Sequence, residues 1–114
     1  MERTCFALPV LAGQQEAARA FLQELEGQRK GDYAASEQRL GIQKEVWALQ
    51  ATSQGAMLVV YIESLALGAA FQRFAASRVT FDVWFKDVVR VTTGADLNIP
   101  PTGPMSEVLS VYEA

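Results

Sequence analysis

The sequence predicts an α+β domain, a four-stranded antiparallel sheet with its helices gathered on one face, and three observations predict it. The segment Met57–Glu63 alternates two apolar faces, Met57, Val59 and Tyr61 against Leu58, Val60 and Ile62, so it reads as a strand that must be covered on both sides. Strand-like and helix-like stretches follow one another as β-α-(α)-β-β-α-(α)-β, the order of the split βαβ plan with added short helices. Half of the 114 residues are hydrophobic and a fifth are charged, a composition that builds a core and leaves a surface short of charge.

Each element has its own signal. Residues 3–11 form the first strand, with Thr4, Phe6, Leu8 and Val10 on one face and Cys5, Ala7, Pro9 and Leu11 on the other. Pro9 has no N–H and belongs near the strand end or at an unpaired position. Gly13 opens a helix to about Gln28 in which Ala17, Phe21 and Leu25 recur at i, i+4, i+8, flanked by Ala18 and Leu22, giving one buried stripe. Gly31 breaks the pattern, Asp32 caps a short helix over Tyr33–Leu40, and Gly41 stops it. Val46 and Trp47 favour a strand over Ile42–Ala51, and the turn Thr52-Ser53-Gln54-Gly55 joins it to the Met57 strand as a hairpin.

Two hairpin registers are open. One sets Lys44 opposite Glu63 and Val46 opposite Tyr61; a shift of one sets Glu45 opposite Tyr61 and Trp47 opposite Val59, which exchanges the faces. Ser64 then caps a helix over residues 65–77 with Leu67, Phe71 and Phe74 on one side. Thr80 caps another, in which Phe81, Phe85 and Val88 point inward beside Trp84, Asp82 and Lys86 support the solvated face at i, i+4, and Gly94 ends the run. The stretch Leu97-Asn-Ile-Pro-Pro-Thr-Gly-Pro104 is an extended connection because its prolines remove donors and bias the residues before them. Val108–Tyr112 reads as the fourth strand.

The length fits a single domain over residues 1–114, burying roughly two-thirds of the surface its unfolded chain exposes. Helices on one side leave the other sheet face bare. With about eight apolar side chains there, at roughly 1.5 to 3 kcal/mol each, exposure would cancel a typical domain stability, so a homodimer through the sheet face is expected. A net charge of −3 and scattered Arg3, Arg19, Lys44 and Lys86 argue against a nucleic-acid partner. No apolar run reaches the roughly 18 to 20 residues of a membrane span, and a soluble, cytoplasmic protein is expected. Cys5 is read as a small buried hydrophobe. The chain has no histidine, hence no usual base for a thiol or a triad and no usual haem ligand. No glycine spacing cradles a phosphate and no carboxylate spacing suits a metal, so neither cofactor nor metal is expected.

The stretches Tyr33-Ala-Ala-Ser-Glu-Gln-Arg-Leu-Gly-Ile-Gln-Lys-Glu-Val-Trp47, Phe74-Ala-Ala-Ser77, Phe81-Asp-Val-Trp-Phe-Lys-Asp87 and Thr93-Gly-Ala-Asp-Leu-Asn98 resemble the dimeric α+β barrel superfamily, of ferredoxin-like protomers, and more closely an uncharacterised family of small bacterial proteins within it. The resemblance covers nearly the whole chain. It implies a barrel made of two sheets, with a ligand pocket in each protomer between sheet and helices. Superfamily relatives include cofactor-free monooxygenases, isomerases of small lactones, haem-degrading enzymes and proteins of no known activity, so fold does not fix function. The haem-ligating histidine of the haem-binding relatives has no counterpart in this sequence.

Among residues able to carry chemistry, Arg39 ends the short helix and Glu45 follows six positions later on the strand. Arg can bind a carboxylate or phenolate bidentately, and a strand carboxylate in apolar surroundings can serve as a base. In a cofactor-independent monooxygenase or isomerase, Glu45 would remove a proton and Arg39 or Tyr61 would stabilise the oxyanion. The plainer alternative is that Arg39 and Glu45 pair with each other or with the helix. Tyr33, Trp47 and Trp84 join Tyr61 as aromatics with a polar handle that could line a pocket for an aromatic or carboxylate ligand, with Glu63 at its mouth; they serve equally as core residues, with Glu63 paired to Lys44. A non-catalytic scaffold or sensor, its cleft filled by Trp84, Trp47 and Phe74, is the rival class. The sequence does not decide whether the protein is an enzyme.

Overall fold

The computed structural model describes residues 1–114. Three strands, β1 (Glu2–Pro9), β2 (Ile42–Thr52) and β3 (Gly55–Ser64), form an antiparallel sheet in the order β1-β3-β2. Four helices, α1 (Gln15–Glu26), α2 (Lys30–Leu40), α3 (Leu67–Ala76) and α4 (Thr80–Thr93), complete the α+β fold. β3 is central, and its Leu58, Val60 and Ile62 are buried beneath the helices. The first of the two hairpin registers is the one adopted: Lys44 faces Glu63 and Val46 faces Tyr61, with an irregularity between Ile42 and Lys44. That register turns Glu45 and Trp47 towards the helices beside Ile62 and Val60, and it leaves Val46, Val59 and Cys5 on the open face.

β1 is an edge strand. The Cys5 N–H points away from β3 to Ser106 Oγ at 2.8 Å, and by the alternation of an antiparallel ladder Pro9 shares that outward edge, where no donor is needed. The expected fourth strand is corrected: Val108–Tyr112 is not a strand. Residues 104–114 meet β1 through side chains, Ser106 Oγ lying 3.0 Å from Thr4 Oγ1 and Arg3 Nη2 donating to Glu113 at 3.1 Å. The Cys5 donor is already taken by a hydroxyl, and the prolines ahead of the segment supply no N–H to start a ladder.

Helix ends follow local chemistry. Gly41 and Gly94 close α2 and α4 at φ 77° and 82°, a conformation glycine adopts without Cβ strain. α2 starts three residues earlier than the sequence suggests, so Gly31 and Asp32 lie in its first turn and the glycine does not break it. α3 starts at Leu67, whose N–H is taken by the Glu2 carboxylate of β1 at 2.7 Å, while Ser64 Oγ takes the Ala66 N–H at 3.1 Å. A carboxylate at a helix start complements the dipole.

The main core joins Phe21 and Leu25 of α1 to Phe81, Phe85 and Val89 of α4. Trp47 links it to a second cluster of Val60, Ile62 and Leu67. Asp82 and Lys86 do not lie on a solvated face: they are 1% and 2% exposed. The Asp82 carboxylate accepts from Ser36 at 2.6 Å, Ser77 at 2.5 Å and Arg39 at 3.2 Å. Lys86 donates to the carbonyls of Phe74, Ala75 and Ser77 at 2.9, 3.1 and 3.0 Å, capping the end of α3. One i, i+4 pair thus ties α4 to α2 and α3, because the face it occupies is covered by those helices. Cys5, expected to be buried, is exposed in the single chain. No helix is long and apolar enough to cross a membrane.

Candidate functional site

Glu45 enters the sheet–helix cleft because the hairpin register points it inward beside Ile62. Its Oε2 accepts the Tyr33 hydroxyl at 2.5 Å and the Trp47 indole N–H at 2.9 Å. Tyr33 is fixed from α2, its ring 6.2 Å from Phe81 and 6.3 Å from Phe85. Glu37 stands four residues after Tyr33 on the same helix, one turn on, and brings a second carboxyl against Glu45. Its Oε2 is buried and receives no donor from the rest of the protein.

Burial pushes the Glu37 carboxyl up to about 9, with the charge of Glu45 and the hydrogen bond to it adding to the effect. Glu45 is also held above the ordinary carboxylate range by burial, although the hydrogen bonds from Tyr33, Trp47 and Glu37 oppose that rise. Burial and then the neighbouring Glu45 charge raise the Tyr33 phenol. Two carboxyls in one apolar enclosure resist double ionisation and titrate as a pair.

The pair lines an inner chamber of about 60 Å³, otherwise walled mainly by apolar and aromatic side chains including Trp47, Phe74, Phe81 and Phe85. Phe6, Phe71, Phe74 and Leu97 separate it from an outer chamber of about 320 Å³, whose far wall is Pro101, Pro104, Met105 and Ser106. The connection after α4, read from sequence only as an extended linker, therefore builds the outer wall.

Of the residues singled out from sequence, Tyr33, Glu45 and Trp47 come together in this cleft. Arg39 does not join them. Its guanidinium lies at 3.2 Å from both oxygens of Asp82, so it pairs with a helix residue and not with Glu45. Tyr61 is on the opposite sheet face, donating to Glu63 at 2.6 Å, and Glu63 is 3.5 Å from Arg3. The Tyr61 hydrogen bond, and then the charges of Arg3 and Lys44, hold Glu63 below the ordinary carboxylate range. Glu63 accordingly belongs to the open face and not to the cleft mouth. Trp84 packs on Phe21 and Phe81 at 5.4 and 5.5 Å, with the Arg29 guanidinium 3.7 Å over its ring, away from both chambers.

Glu37 is the functional candidate that sequence reasoning missed. The signal was present in the Tyr33-x-x-x-Glu37 spacing, which places both side chains on one helix face. No group of three or more His, Cys, Asp or Glu side chains is placed to hold a metal ion. The arrangement can accept hydrogen bonds from a ligand's donors and can exchange a proton with it. It offers no cation to an anionic one.

Fold and site together define an α+β protein with a half-buried carboxyl pair lining a mainly apolar cleft. Comparison with family models, curated proteins and solved structures finds no match to this chain.

Proposed function

We propose that the protein binds a small organic molecule with an apolar, ring-sized body in the sheet–helix cleft, as a homodimer of ferredoxin-like protomers of the dimeric α+β barrel kind. The observation that carries this reading is the Glu37–Glu45 pair, two carboxyls lining a mainly apolar cavity that shares a wall with a second, larger chamber. Holding two such groups partly out of water is costly, and a cavity that converges on a few polar groups is the usual form of a ligand site. The carboxyl pair favours a ligand with hydrogen to donate over a carboxylate ligand.

Support for the dimer lies on the other side of the sheet. Val46 and Val59 are 45% and 39% exposed there, in a flat apolar surface continued by Cys5 and Ala7. The row Arg3, Glu63, Lys44 crosses one end of that face, and mixed charge of this kind can pair with itself across a two-fold axis.

A cofactor-independent monooxygenase or isomerase is the second reading, favoured by a carboxyl at Glu45 poised above its ordinary range. In that case Tyr33, at 2.5 Å from Glu45, takes the oxyanion-stabilising place that Arg39 and Tyr61 are too far away to fill. A thermal-shift screen of small ring-bearing compounds tests the binding reading. Compounds that raise the melting temperature of the wild type should not raise that of Phe71→Trp, which puts a larger ring where Phe71 lines both chambers. Equal shifts in both proteins would place the ligand elsewhere.

A further inference from the structure

The inner chamber contains acid without base. Arg39 is committed to Asp82, Lys86 to the carbonyls ending α3, and Arg29 to Glu24 and the face of Trp84. Glu45 is surrounded only by neutral donors, and Glu37 keeps a buried oxygen with no donor from its neighbours. A buried carboxylate lacking a positive partner is an uncompensated charge. Aromatic side chains, Tyr33, Trp47, Phe74, Phe81 and Phe85, line the walls, and aromatic rings attract cations over their faces.

Size then divides the ligand into two parts. At about 60 Å³ the inner chamber is well below the roughly 150 Å³ of a cavity that takes up benzene, so a ring does not fit beside the carboxyls. A compact head group does. The adjoining chamber of about 320 Å³ is large enough for a ring, and its walls are apolar apart from Thr4 and Ser106. Phe71 and Phe74 line both chambers, so a ligand that reaches from one to the other passes between these two rings on a thin linker.

We propose that the ligand is a primary organic amine whose ammonium head sits between Glu37 and Glu45 and whose apolar body occupies the chamber under Pro101–Ser106. This rests on the reading that the cleft is a ligand site and adds the ligand's class. An ammonium brings three donors to the pair, so it satisfies the unpartnered oxygen of Glu37 and supplies the missing positive charge.

Titration calorimetry at pH 7 with 3-phenylpropylamine, 3-phenylpropan-1-ol and 3-phenylpropanoate tests it, because the three share a body and differ in the head. The amine should bind at least about tenfold more tightly than the alcohol, a difference of about 1.4 kcal/mol, and the carboxylate should give no heat. The amine's advantage should vanish in Glu37→Gln and Glu45→Gln. The wild-type comparison stands even where a variant folds poorly. An alcohol that binds as tightly as the amine, with binding lost in Phe71→Trp, would overturn the amine while keeping the cleft as a site. Absence of binding by all three would overturn both.

Discussion

Glu45 and Glu37 differ in how they could be read from sequence, although they form one pair. Glu45 lies beside Trp47 in a strand of alternating pattern, so its chemistry was visible once the register was fixed. Glu37 sits in a polar helix with little amphipathic contrast, and its partner is on another element. Arg39 illustrates the converse: six positions separate it from Glu45, but a helix end and an irregular strand start lie between, and the side chains diverge. Its real partner, Asp82, is 43 residues away, a distance that periodicity does not span. The pair also makes a pH prediction. Both carboxyls have folded values above their unfolded ones, so the folded state holds more protons. Their contribution to stability is complete below the ordinary carboxylate range and is lost as pH rises through about 9 for Glu37, at a slope of at most about 1.4 kcal/mol per pH unit per group. Denaturant unfolding at pH 6 and pH 8 should show wild type weakening with pH and Glu37→Gln weakening less; identical slopes would mean that Glu37 does not titrate with a raised value in the folded protein.

At the scale of elements, β3 was the most legible, because two apolar faces admit few environments other than the middle of a sheet. The helix stops at Gly41 and Gly94 were equally plain, since each residue adopts the left-handed conformation that ends a helix. The last segment was misread because Val108–Tyr112 has strand-like residues but meets an edge whose Cys5 donor is already bound to Ser106. Residue type alone does not show which backbone donors remain. Asp82 and Lys86 were misread for a related reason: i, i+4 spacing indicates one helix face and not whether another helix covers it. Lys86→Met keeps the aliphatic stem and removes the cap on α3. It should destabilise the protein by about 1.5 to 3 kcal/mol, the range for hydrogen bonds to a charged group, and speed amide exchange in the last turn of α3. Unchanged stability would mean that water satisfies those carbonyls equally well.

For the whole molecule, the one-sided placement of helices followed from the element order, and the cleft followed from that placement. The chambers did not. Their shape depends on where Phe71, Phe74 and the proline segment meet, which is a matter of packing and not of pattern. The open sheet face gives the molecule-scale prediction. Sedimentation equilibrium at micromolar concentration should find wild type dimeric and Val59→Lys monomeric, because a lysine at the centre of the face places charge against apolar surface in both copies. A monomeric wild type would leave the face solvated and the proposed barrel unformed.

The proposed site depends most on Glu37 and Glu45 behaving as one half-buried, proton-sharing pair. Carboxyl carbon NMR of glutamate-labelled protein across the pH range measures this directly. The prediction is that Glu37 titrates near 9, that Glu45 also lies above the usual range, and that each signal responds to the other's ionisation. Independent titration of both near about 4.3, the value of a solvated glutamate, would contradict it.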